Sequence, residues 1–283
     1  DEKKLQKIEK KKQIAVLSAG TFANIVMTFI FFILFILFFY AAFTPSGYVF
    51  NAYSYSILPV SEISLVGNYS NSLGNFSEIR FNNQTYYFKG NLTNQTQIIA
   101  FDNAPAFKSG LQGVIIAIDN KKIRNQKDLA VFLAKTKPGE NITITVLANQ
   151  TQEYNLMLGE NPRNSSIGYI GVSSLQTSQK GFFSKIISWF VSFMEPSTYY
   201  SPRIDGTLVI FIKDLFFWII MLNLSVAIIN MVPLGIFDGG RVFYLTMLSI
   251  FKSEKIAKNI FETITYIILF AVILMCVLWF FAV

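Results

Sequence analysis

Asp238 closes a long apolar stretch, in the run Asn230-Met231-Val232-Pro233-Leu234-Gly235-Ile236-Phe237-Asp238-Gly239-Gly240-Arg241. A carboxylate at membrane depth costs at least ~2.5–3.5 kcal/mol, so it is tolerated where a cavity, a partner charge or a metal ion receives it. Pro233 and Gly235 would break or kink a helix just before it. The plainer alternative is that Asp238 ends the helix and pairs with Arg241 at the interface. Asn223 and Asn230 lie seven residues apart, so they share one helix face and can hydrogen-bond a neighbouring helix or an extended peptide. Other metal-ligand side chains are scarce. The 283 residues contain no histidine, and the one cysteine, Cys276, lies in an apolar run. A lone cysteine there is usually a small hydrophobe.

The elements that must position these residues follow from hydropathy and charge. Charged residues make up only 14% of the chain and apolar ones 52%, whereas a soluble domain carries about a quarter charged. The net charge of +7 is not a nucleic-acid signature, because six lysines fall within the first twelve residues, directly before an apolar run. Residues 1–12 therefore read as a basic juxtamembrane segment facing the cytoplasm and anionic lipid. Three apolar segments are long enough to cross a bilayer, 13–43, 208–240 and 263–283. Residues 181–194 are too short and read as an interfacial or re-entrant helix. The basic residues Arg241, Lys252, Lys255 and Lys258 mark 241–262 as a cytoplasmic loop, which places 48–205 outside the cell membrane. The chain starts with Asp1 and its first apolar run is too long for a signal peptide. The start is read as a truncation.

The middle alternates apolar and polar residues, as in Asn141-Ile142-Thr143-Ile144-Thr145-Val146, which is strand periodicity. A short helix is expected from Gln126 to Lys135. An Asn-rich, strand-forming and more mobile insertion is expected over 44–96, and an α+β domain over 97–175. The middle region holds eight Asn-x-Ser/Thr triplets, beginning at Asn68, Asn75, Asn83, Asn91, Asn94, Asn141, Asn149 and Asn164. They mark solvated loops, whether as used glycosylation acceptors or as a consequence of Asn-rich composition.

The string Asn-x-x-Pro-x-x-x-x-Asp-Gly-Gly-Arg resembles the second metal motif of the site-2 protease family. The resemblance implies that Asp238 is the third protein ligand of a catalytic zinc, with Asn223, Asn230, Pro233 and Gly239 holding substrate or supporting the site. Ser18-Ala19-Gly20-Thr21-Phe22-Ala23-Asn24 resembles the Ala-Gly-Pro-x-x-Asn that opens the family's second core helix, with Thr21 where Pro is usual. It implies a supporting role for Asn24, and Ala19-Gly20 would allow close helix packing. Asn103 to Leu111, Ile115 to Ile123 and Lys137 to Glu140 resemble a protease-associated PDZ domain, which implies either binding of peptide chain ends by strand addition or a PDZ fold used only as a steric gate. The fold class expected is an α-helical polytopic membrane protein with an inserted extracytoplasmic α+β PDZ-like domain.

What the resemblance implies for activity is zinc-dependent cleavage of transmembrane protein substrates within the lipid bilayer. The family's other ligands and general base come from an H-E-x-x-H helix, which is expected upstream of Asp1. No catalytic residue proper is therefore expected in these residues, and no nucleic-acid partner. Two rival readings are a catalytically inactive homologue acting as a PDZ-containing membrane interaction protein, and a transporter with a broken helix and an ion near Asp238.

Overall fold

A computed structural model describes residues 9–92, 95–174, 181–204 and 206–282. Residues 1–8 of the expected basic segment, the sequon at Asn94 and the end of the expected PDZ-like region at 175 lie outside the described residues. The chain forms two compact units, Phe43–Arg203 and a second made of Asp1–Ala42 with Ile204–Val283. Helix α1 (Lys10–Ala42) is 33 residues of nearly unbroken apolar sequence. At 1.5 Å per residue it runs about 50 Å, more than the ~30 Å of a bilayer core. Its buried residues, Thr21, Thr28, Phe32, Phe39 and Ala42, form one stripe. Around them the surface is apolar and exposed, as a lipid-facing helix requires.

The unit Phe43–Arg203 opens on β1 (Phe43–Val49) and closes on β15 (Thr198–Pro202), which pair antiparallel with Phe43 opposite Pro202. The short β2 (Ala52–Tyr53) follows β1. Five strands then build one antiparallel sheet: β3 (Tyr55–Pro59), β4 (Ser64–Asn71), β5 (Gly74–Phe81), β6 (Gln84–Phe88) and β7 (Gln97–Asp102), in the order β3-β7-β6-β5-β4. After the short helix α2 (Pro105–Lys108) come β8 (Val114–Ile118), β9 (Lys121–Lys122), helix α3 (Gln126–Leu133), β10 (Asn141–Leu147) and β11 (Thr151–Met157). These complete a second sheet in the order β11-β10-β8-β1-β15, with β9 paired to β8. The remaining elements are β12 (Gly159–Asn161), β13 (Asn164–Tyr169), β14 (Val172–Ser173) and helix α4 (Phe182–Val191).

Alternation sets each core. Ile142, Ile144 and Val146 on β10 point inward with Tyr48, Leu111, Ile115, Ile118 and Ile170. Leu58, Ile79, Phe88, Ile98 and Ala100 form a separate core under the other sheet. An aromatic cluster joins the two regions. Phe107 of α2 is fully buried, stacked on Tyr87 (5.1 Å) and Phe101 (4.9 Å), with the edges of Phe76 (4.9 Å) and Tyr53 (5.7 Å) against it. The Tyr53 hydroxyl donates to the Leu111 carbonyl at 2.6 Å. Burial, with a smaller contribution from Tyr154, pushes its pKa up to about 12.

Two expectations are corrected here. The boundary between an insertion (44–96) and a self-contained domain (97–175) does not hold. Strand β7, from the second segment, pairs inside the first segment's sheet, and β1, from the first, pairs with β8 of the second. Alternation identifies a strand but not its partner, so the exchange was invisible to periodicity. Nor does the 44–96 segment stand as a separate insertion, since the core under its strands is shared with Ile98 and Ala100 of β7. The helix expected at Gln126–Lys135 is α3, capped by Asn125, whose side chain accepts from the Asp128 amide at 3.0 Å.

The chain ends in three helices, α5 (Gly206–Asn230), α6 (Asp238–Phe251) and α7 (Glu254–Ala282). Helices α1, α5 and α7 are each long and apolar enough to cross a membrane. The single segment expected over 208–240 is two helices with a break between them. The loop expected over 241–262 is α6 and the first turns of α7, joined through Lys252 and Ser253, and the segment expected at 263–283 begins at Glu254. The basic residues there suggested a loop, but Arg241 lies in α6 and Lys255 and Lys258 lie in α7. Lys252 adopts a left-handed conformation (φ 53°) that terminates α6.

Candidate functional site

The break follows from local chemistry. Pro233 has no amide hydrogen to continue α5. Helix α5 tightens as it ends, with the Met231 and Val232 amides donating to the Ile228 and Ile229 carbonyls, each at 3.1 Å. The Leu234 amide then donates to Val232 O (2.8 Å) and the Phe237 amide to Leu234 O (3.0 Å), which reverses the chain. Helix α7 holds the turn from the side. Thr265 Oγ1 donates to the Pro233 carbonyl at 3.3 Å, and Tyr244 of α6 packs edge-on against Phe261 of α7.

Asp238 is the first residue of α6, not the end of the helix before it, and it is exposed. An acidic residue complements the partial positive charge of a helix N-terminus. The two glycines after it bring that N-terminus onto the break. A Cβ on Gly239 would lie 2.4–2.6 Å from backbone atoms of Met231, and one on Gly240 would lie 2.1 Å from the Leu234 carbonyl oxygen. Both glycines are buried. The Asp-Gly-Gly string is thus a packing device: no other residue type lets the first turn of α6 lie against the 231–235 backbone.

Helix α1 supplies the opposite wall. It packs against α5 and α6, and Phe31, Phe35 and Phe38 surround Phe216 of α5. Counting back along α1 and forward along α5 from the Phe35–Phe216 pair brings Thr28 to the level of Asn223, Asn24 to that of Ala227 and Thr21 to that of Asn230. Thr28 Oγ1 donates to the Asn24 carbonyl and Asn223 Nδ2 to the Ile219 carbonyl, both at 2.8 Å, as membrane helices satisfy polar groups internally.

Asn24, Asn223, Asn230, Pro233, Asp238 and Gly239 therefore all belong to the helical unit, with Asn230, Pro233, Gly239 and Asp238 joined in the break itself. Three further features were not read from the sequence. Gly240 packs more tightly than Gly239, and the Gly-Gly doublet was its signal. Thr265 acts across a helix pair and has no local signal. Thr21 is 3% exposed and its hydroxyl lacks a partner among the described residues, a cost no local pattern announces. The close packing that Ala19-Gly20 would allow is not used at Gly20 among the described residues, since a Cβ there would meet nothing within 4 Å.

A catalytic zinc takes three protein ligands and a water. Among the described residues no group of three His, Cys, Asp or Glu side chains comes together, and Cys276 is exposed on α7, far along the chain from Asp238. The donors of this chain alone do not fit such a metal; Asp238 is a single carboxylate.

Helices of membrane-crossing length, a β domain inserted between the first two of them and a Pro/Gly break ending in Asp-Gly-Gly define a membrane protein with an inserted β domain and a broken helix. The chain belongs to peptidase family M50, the site-2 protease family, whose model it matches over residues 1–276. Members of that family are intramembrane metallopeptidases. No curated protein matches the chain.

Proposed function

We propose that the complete protein is an intramembrane zinc metalloendopeptidase that cleaves the transmembrane segments of other membrane proteins. Asp238 is the carboxylate this chain contributes to the metal centre, and the two remaining ligands come from outside these 283 residues. The observation that carries the reading is the break itself, in which Gly239 and Gly240 fix Asp238 against the end of α5. Asn24, Asn223 and Asn230 line the neighbouring helices and would hold an unwound substrate strand, whose backbone groups need partners inside a bilayer.

In this reading α1, α5 and α7 cross the membrane. The N-terminal lysines and the Lys252–Lys258 stretch face the cytoplasm, and Phe43–Arg203 lies on the other side. The β domain would take peptide chain ends by strand addition, as a PDZ-like module does.

The test is zinc content together with cleavage of a model transmembrane substrate. The 283-residue chain should bind zinc weakly and hydrolyse nothing. The same chain supplied with a helix bearing H-E-x-x-H should do both. Asp238→Asn keeps the shape and removes the anionic ligand, so it should abolish cleavage while leaving expression and membrane insertion intact. Full cleavage by that variant would reduce Asp238 to a helix-starting residue.

A further inference from the structure

The sequons offer a modification site that peptidase chemistry does not explain. Between residues 43 and 203 there are sixteen asparagines, and eight are followed two residues later by Ser or Thr with no intervening proline. Ser and Thr make up 29 of those 161 residues, so chance would place about three such pairs. The seven of these asparagines that lie among the described residues are all exposed.

Three lie at or directly beside hairpin tips. Asn83 is the second residue of a two-residue turn between β5 and β6, where Asn82 (φ 47°) and Asn83 (φ 64°) are both left-handed. Asn149 is the middle of the three-residue tip between β10 and β11. Asn164 follows the Pro162-Arg163 tip between β12 and β13. Its Oδ1 accepts from the Ser166 amide (3.1 Å) and hydroxyl (2.6 Å), which engages the oxygen and not the nitrogen that would be modified.

We propose that the β domain carries N-linked saccharide at Asn83, Asn149 and Asn164. In the transfer, a bond forms between Nδ2 of the asparagine and C1 of a lipid-phosphate-linked saccharide. The C1–O bond to phosphate breaks, the lipid phosphate leaves with the electron pair, and Nδ2 gives up one proton. A membrane-bound saccharyl transferase acting on translocated chains is the required catalyst. The modification rests on the placement of Phe43–Arg203 outside the cytoplasm but not on the metal centre.

Glycopeptide mass mapping of the full chain purified from its native membranes tests it. Saccharide is expected at the three tip asparagines and not at Asn223, whose Asn-Leu-Ser triplet lies within α5. Thr85→Ala, Thr151→Ala and Ser166→Ala should each remove one site without touching the left-handed backbone at Asn83, and Thr85→Ser should retain it. In parallel, Lys122→Cys in a Cys276→Ser background reports the side of the membrane with an impermeant thiol reagent. Labelling from outside with all eight asparagines bare overturns the glycan proposal alone. Labelling only from the cytoplasmic side overturns the placement and the glycans together.

Discussion

Gly240 and Gly20 differ in the space around them, one crowded by backbone and the other open, and they make a matched pair of tests.

 A Cβ on Gly240 would strike the Leu234 carbonyl at 2.1 Å, a backbone atom that cannot move aside, whereas one on Gly20 meets nothing. Gly240→Ala should therefore cost about 1–3 kcal/mol through overpacking and displace the start of α6. Gly20→Ala should be neutral or stabilising by up to about 1 kcal/mol, the usual gain of Ala over Gly in a helix. Thermal unfolding of the detergent-solubilised chain would separate them, and equal behaviour would mean that the glycines do not set the break. At this scale the residues of the helix break were legible. Asn230, Pro233, Asp238 and Gly239 announce themselves because a carboxylate, a proline and a glycine are each costly in an apolar helix. Thr265 was not legible, because its bond to Pro233 O crosses from another helix.

Among the elements, the aromatic contact around Phe107 matters most. Its ring is the one shared by α2 of one region and the β5–β6–β7 sheet of the other. Phe107→Ala should cost about 3–5 kcal/mol, the usual range for a buried Phe. Hydrogen exchange should rise in β5–β7 and in β8–β10 together. Faster exchange in only one sheet would show that the two regions are not coupled through this ring. Strands were legible as a type from their period of 2, and the long apolar helices from the length of their uncharged runs. Their partners were not. β7 and β1 each pair across the boundary drawn from composition, and α6 was hidden because Arg241 and its basic neighbours read as a loop.

For the molecule as a whole, the β unit should be separable as Phe43–Arg203 but not as 97–175. The longer fragment keeps β1, β15 and the whole five-stranded sheet, while the shorter one strands β7 without its neighbours and strips Phe107 of Tyr53, Phe76 and Tyr87. Circular dichroism of the two soluble fragments is the check, with cooperative melting of strand signal expected only for the longer. A folded 97–175 fragment would refute the shared architecture. The pairing of Phe43 with Pro202 also fixes how this unit bears load. Its entry and exit lie side by side at one end of a single ladder, so traction at those two points falls on one pair of hydrogen bonds at a time. The β1–β15 ladder therefore unzips rather than shears, opening at low force from Phe43 inward and lengthening both tethers equally as it goes.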